Sequence, residues 1–133
     1  MQKIKYLSSD RVEWVHGRIL ELTDGDRGDV SKGNLEFILA KVENVGERLD
    51  RDRAIVKKAA FLLYNLVTRH PFVNGNKRTA LEVVQAFLEL NGYTIQVKKD
   101  EAYMLLSDIA AGKALLSRVE NWTITNLAKI RQD

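Results

Sequence analysis

Apolar residues recur at helical spacing in several stretches of this chain, and two of the strongest stretches meet at a single break. Between Asp50 and Arg69 a wide stripe of Ile55, Ala59, Leu62, Leu63, Leu66 and Val67 predicts a central, mostly buried helix. A second stripe of Leu81, Val84, Phe87 and Leu88 predicts its partner over Asn76 to Leu90, with Gly92 as a C-terminal stop. Nearer the start, Val12, Val15, Ile19 and Leu22 predict a helix over Asp10 to Leu22, preceded by N-cap oxygens at Ser8, Ser9 and Asp10. Leu35, Ile38, Leu39 and Val42 predict a short helix within Leu35 to Val45. Later, Asp100 caps a helix running to Ala111 and ended by Gly112. Ser117 to Glu120 has capping-box spacing and opens a last helix through Ile130. Met1 to Tyr6 reads as a short strand or an extended arm, and Tyr93 to Val97 as a strand or an extended connection. The expectation is an all-α fold, a single domain over residues 1–133.

Composition narrows the setting. Apolar residues make up 45% and charged residues 29%, the balance of a globular chain rather than a disordered one. Cysteine is absent, which excludes disulfides and thiolate metal sites. Met1 to Asp10 lacks the apolar core of a signal peptide, and Ala59 to Val67 is far shorter than the roughly 20 residues of a spanning helix. The expected location is cytoplasmic, with no membrane partner. The net charge of +3 favours anionic ligands or an acidic partner, but the basic residues are too scattered to argue for nucleic acid.

The chemistry concentrates at the break, His70-Pro71-Phe72-Val73-Asn74-Gly75-Asn76-Lys77-Arg78-Thr79-Ala80. Pro71, the only proline, disfavours helical geometry at His70 and ends the first central helix there. Asn74-Gly75-Asn76 tolerates left-handed torsions and forms a turn. Lys77 and Arg78 then open the second helix, where the macrodipole is already positive and cations are unfavourable unless an anion sits on the turn. Backbone N–H groups at a helix start together with two cationic side chains make a phosphate site, with His70 beside it as a proton acceptor. The competing reading is a polar loop with Lys77 and Arg78 solvated. His16, the other histidine, reads as packed or partly exposed, since no acidic or hydroxyl cluster accompanies it. Phe72 reads as a core anchor pinning the loop.

His70 to Arg78 resembles the signature of the Fic/Doc family, H-x-F-x-[D/E]-G-N-[G/K]-R, and Lys77 followed by Thr79-Ala80-Leu81 resembles its Doc (death-on-curing) toxin branch. Tyr6-Leu7-Ser8, Gly33-Asn34-Leu35-Glu36 and Ala110-Ala111-Gly112-Lys113 are similar to that branch too, so the likeness covers nearly the whole chain. The resemblance implies a helical bundle around two central helices joined by the motif loop, with a short β-hairpin flap placed between Gly25 and Arg51. It also implies transfer of part of ATP to a Ser or Thr hydroxyl of a protein. His70 would take the hydroxyl proton. Arg78 would grip phosphate oxygens and Lys77 add a point charge, with backbone donors around Gly75 and Asn76.

Within the family a glycine at the position of Lys77 leaves room for the inner phosphates and goes with nucleotide monophosphate transfer. A lysine fills that room, and resemblance to the Doc branch implies a reversed triphosphate that presents its γ-phosphate. The expected activity is then a protein Ser/Thr phosphotransferase, a translation-blocking toxin whose target by resemblance is elongation factor Tu. The alternatives are a Fic-type adenylyltransferase and a catalytically weakened binding module. The last arises because the family has Asp or Glu, a Mg²⁺ ligand, where this chain has Asn74, whose amide is a weaker ligand for a hard cation.

Glu82 lies one turn after Arg78, at a spacing that suits an ordinary surface pair. The family's inhibitory pattern, [S/T]-x-x-x-E-[G/N], has its nearest match at Ser9 to Glu13, which Trp14 follows instead of Gly or Asn. Inhibition within the chain is therefore not expected. A separate antitoxin that folds an acidic tail onto the protein is the expected partner.

Overall fold

Asp50 starts the helix on which the others are assembled. Its carboxylate accepts the Arg53 N–H at 3.0 Å, and Asp52 adds a second acid where the dipole favours one. The computed structural model describes residues 3–23, 31–72 and 75–130. In it α1 spans Ser9–Thr23, α2 Lys32–Val42, α3 Arg51–Thr68, α4 Asn76–Leu90, α5 Lys99–Ala110 and α6 Leu116–Asn126. Two short strands, β1 (Tyr93–Ile95) and β2 (Leu127–Lys129), pair antiparallel with Tyr93 opposite Lys129. The fold is all-α, as the periodicity predicts, with one small sheet.

α3 is buried along most of its circumference and packs most extensively against α4 and then α6, with α1, α2 and α5 closing the outside. The α3 stripe expected from sequence is buried throughout. On α4 the inward face is Ala80, Val83, Val84, Phe87 and Leu88, and Leu81 lies at its margin, only partly buried. On α1 the stripe runs through Val12, Val15, His16, Ile19 and Leu20, while Leu22 is exposed. The i, i+3, i+4 face thus turns toward Leu20 rather than Leu22.

Several boundaries differ from expectation for local physical reasons. α2 begins three residues early because Ser31 caps it, its hydroxyl accepting the Asn34 N–H. Asp100 and Ser117 are not the caps of α5 and α6. Those positions belong to Lys98 and Leu115, neither of which makes a side-chain cap bond. The last helix stops at Asn126 instead of Ile130, because Leu127–Lys129 is drawn into the ladder with β1. Gln85 on α4 satisfies β1 further, accepting the Ile95 N–H at 2.9 Å and donating to the Thr94 hydroxyl at 2.7 Å. The strand pair therefore joins distant parts of the chain. The flap expected between Gly25 and Arg51 falls partly on residues 24–30, outside the described residues; the described remainder is α2 and the turns after it.

One buried charge ties the α2 side to the core. Lys58 is 2% exposed, and its ammonium donates to the carbonyls of Val42 and Glu43 at 3.0 and 2.9 Å, at the end of α2 where carbonyls run out of partners within the helix; that of Val42 also accepts the Val45 N–H at 3.2 Å. Lys58→Met keeps the apolar stem and removes both donors. The expected loss is about 2 kcal/mol of unfolding free energy in urea denaturation. A change below about 0.5 kcal/mol would show that the carbonyls find other partners.

Candidate functional site

The site is built where α3 stops. Arg69 is still helical and its N–H reaches the Asn65 carbonyl, but His70 takes a left-handed torsion, φ +45°. Pro71 explains the break, since a helical residue ahead of proline is sterically disfavoured. A positive φ at a non-glycine residue is uncommon and survives only where neighbours hold it.

The loop that follows is fastened from inside. Phe72 is 3% exposed, and its ring stacks on His16 of α1 with centroids 3.8 Å apart and planes inclined by 10°. His16 is itself buried, at 1%. The Asn76 side chain closes the loop, accepting the Phe72 N–H at 3.0 Å and donating to the Phe72 carbonyl at 2.7 Å. Those two bonds hold the Asn76 amide against the loop backbone.

Gly75 then turns the chain into α4 with φ +75°. It is the N-cap, and no side chain caps the helix. The Thr79 N–H makes the first backbone bond, to the Gly75 carbonyl at 2.9 Å, so helix geometry leaves the N–H groups of Asn76, Lys77 and Arg78 without partners inside α4. No acidic residue stands in that first turn. Next along α4, Thr79 is buried, and among the described residues its hydroxyl has no hydrogen-bond partner.

A cavity of about 330 Å³ opens here, lined by Val67, His70, Gly75, Asn76, Lys77, Arg78 and Ala110. His70, Lys77 and Arg78 are all exposed. The structure thus gathers five of the residues singled out from sequence around one opening. Asn74 and Val73 lie outside the described residues, and so does any metal role of Asn74. The described lining includes no carboxylate, and no cluster of three His, Cys, Asp or Glu side chains exists among the described residues. The donor set there is cationic and does not fit a divalent cation held by protein carboxylates. Arg78 and Glu82 form no ion pair among the described residues.

The model of the Fic/DOC family matches residues 6–88, well over half of the chain. This chain belongs to the Fic/DOC family. A curated relative, Toxin Doc of Mycolicibacterium smegmatis, is 32% identical over 80 residues, which is 59% of this chain and 62% of the relative. The chain therefore spans less than two thirds of that relative's length. The Fic/DOC match contains α1 to α3, the motif loop and most of α4, whereas α5, α6 and the strand pair lie beyond it. Ala110 reaches the cavity from outside the matched region. Sequence reasoning singled out neither Ala110 nor His16 as part of the site. For His16 a signal existed, because it lies four residues after Val12 on the same helical face.

Gly75 offers a clean test of the turn. A Cβ there would meet Leu20 Cδ2 at 3.6 Å, an ordinary contact, so only the left-handed torsion opposes a side chain. Gly75→Ala should cost about 1–2 kcal/mol in thermal or urea unfolding, and Gly75→Asn less. Equal losses in both variants would point to a steric cause instead.

Proposed function

We propose that this protein transfers the γ-phosphate of ATP to a Ser or Thr hydroxyl of a target protein. The observation that carries the proposal is the shared cavity: an uncapped helix start, two cationic side chains and an exposed imidazole around one opening. The N–H groups at the start of α4 and the positive end of its dipole favour a phosphate there. Arg78 offers a planar fork to two phosphate oxygens, and Lys77 a compact charge. Those donors neutralise the charge on the transferring group, which is most of what phosphoryl transfer asks of a protein.

The step balances without a covalent enzyme intermediate. The acceptor oxygen forms a bond to the γ-phosphorus as the bond from that phosphorus to the β–γ bridging oxygen breaks. ADP departs, and the hydroxyl proton passes to an imidazole nitrogen of His70. Lys77, where the wider family has glycine, favours presentation of the γ-phosphate over the α-phosphate.

The relative's name, Toxin Doc, supports reading the protein as a toxin of the Doc branch. Elongation factor Tu as target and translation as the process blocked rest only on the likeness of the Lys77 to Leu81 stretch to that branch. A separate antitoxin is the partner this reading requires. No described helix is long and apolar enough to cross a membrane; a cytoplasmic location is part of the proposed reading.

Incubation with cell extract and ATP labelled at either the γ or the α position tests the reaction. The γ label should enter a protein band, and His70→Ala should abolish it, a loss of at least about 100-fold for a removed general base. Transfer of the α label would identify a nucleotidyltransferase. Transfer of neither would identify a binding module.

A further inference from the structure

Among the described residues the imidazole of His70 has no orienting side chain of its own. Among the described residues none hydrogen-bonds it, although a general base is commonly fixed by a third group. Its backbone, however, is held on both sides by one element. The carbonyl before it, of Arg69, accepts from the Asn34 side-chain amide at 3.0 Å. The carbonyl after it, of Pro71, accepts from the Ser31 N–H at 2.7 Å. Both donors belong to the first turn of α2, and they are coupled, since the Ser31 hydroxyl accepts the Asn34 N–H at 3.4 Å.

A third contact backs the first two. The Arg69 guanidinium lies 4.4 Å from the ring centroid of Phe37, one turn further along α2, while its Nε donates to Asn65 Oδ1 of α3 at 3.0 Å. The residue before His70 is thereby clasped between α2 and α3. A left-handed non-glycine torsion needs such over-determination to persist.

We propose that Asn34 is a positioning residue for His70, and that the start of α2 is the clasp that aims the imidazole into the cavity. The proposal rests on the reading of His70 as proton acceptor. It deepens that reading by assigning control of the base to an element far from it in sequence, Asn34 standing 35 residues before Arg69. Neither Asn34 nor Phe37 lines the cavity, so neither acts on nucleotide directly. Their effect on the reaction runs through the backbone of residue 70.

The test compares Asn34→Asp with Asn34→Gln. Asp has nearly the same shape but cannot donate to the Arg69 carbonyl, and a carboxylate in the first turn of a helix is favoured by the dipole, so the variant folds. Gln keeps the donor. The chain has only two histidines, and His16, buried under Phe72, serves as the internal reference in nuclear magnetic resonance spectra. In Asn34→Asp the backbone amide and imidazole signals of His70 should move or broaden while those of His16 stay in place. Turnover of γ-phosphate transfer should fall roughly 10- to 100-fold, with KM for ATP within about twofold, and Asn34→Gln should recover part of the loss.

Unmoved His70 signals in Asn34→Asp overturn the proposal, and so does unchanged turnover. A loss carried by KM instead of kcat also overturns it, since that marks a binding role. Should the unaltered protein transfer no phosphate, the phosphotransfer reading fails by itself and the spectra alone decide: a displaced His70 upholds the clasp and an undisplaced one removes it.

Discussion

Everything at the site depends on how one helix is made to stop and another to start within seven residues. The proline after His70 forbids the first helix from continuing, and two left-handed torsions, at His70 and Gly75, redirect the chain. Such a turn would be loose by itself. Burial of Phe72 against His16 and the paired hydrogen bonds between Asn76 and the Phe72 backbone convert it into a fixed corner. The corner sits between α3 and α4, the most extensively packed pair of helices, so its geometry is inherited from the core.

The two central helices start in opposite ways, and the contrast carries the functional argument. α3 begins with a capping aspartate and a second acid, the arrangement that stabilises a helix by itself. α4 begins with a glycine that caps nothing, followed by two cations where the dipole opposes them. A start of that kind is poorly stabilised alone and well suited to an anion. Under the proposed phosphotransfer that anion is a polyphosphate with its reactive end near the His70 imidazole, which lines the same cavity.

The central helices were legible because their stripes are long and local: the bounds of α4 and the buried face of α3 follow from spacing alone. The loop's composition likewise announced a turn, a helix start and a cationic pair. What was not legible depends on pairing across the chain. The end of α6 is set by β1, more than 30 residues earlier, and nothing in Leu127-Ala128-Lys129 itself marks a strand. The burial of Lys58 follows from the carbonyls at the end of α2, which nothing in the spacing along α3 places beside it. That the Asn76 side chain holds the Phe72 backbone likewise shows only in the folded loop. Asn34 stands in a segment noted only for resemblance, and its contact with Arg69 joins residues 35 positions apart.

The most direct measurement is a crystal structure of the protein with a non-hydrolysable ATP analogue, refined to a resolution that orders the three phosphates. The expected result is the γ-phosphate against the start of α4, within hydrogen-bond reach of Arg78 and beside the His70 imidazole. An α-phosphate in that place, or a nucleotide bound away from the turn, would contradict the account.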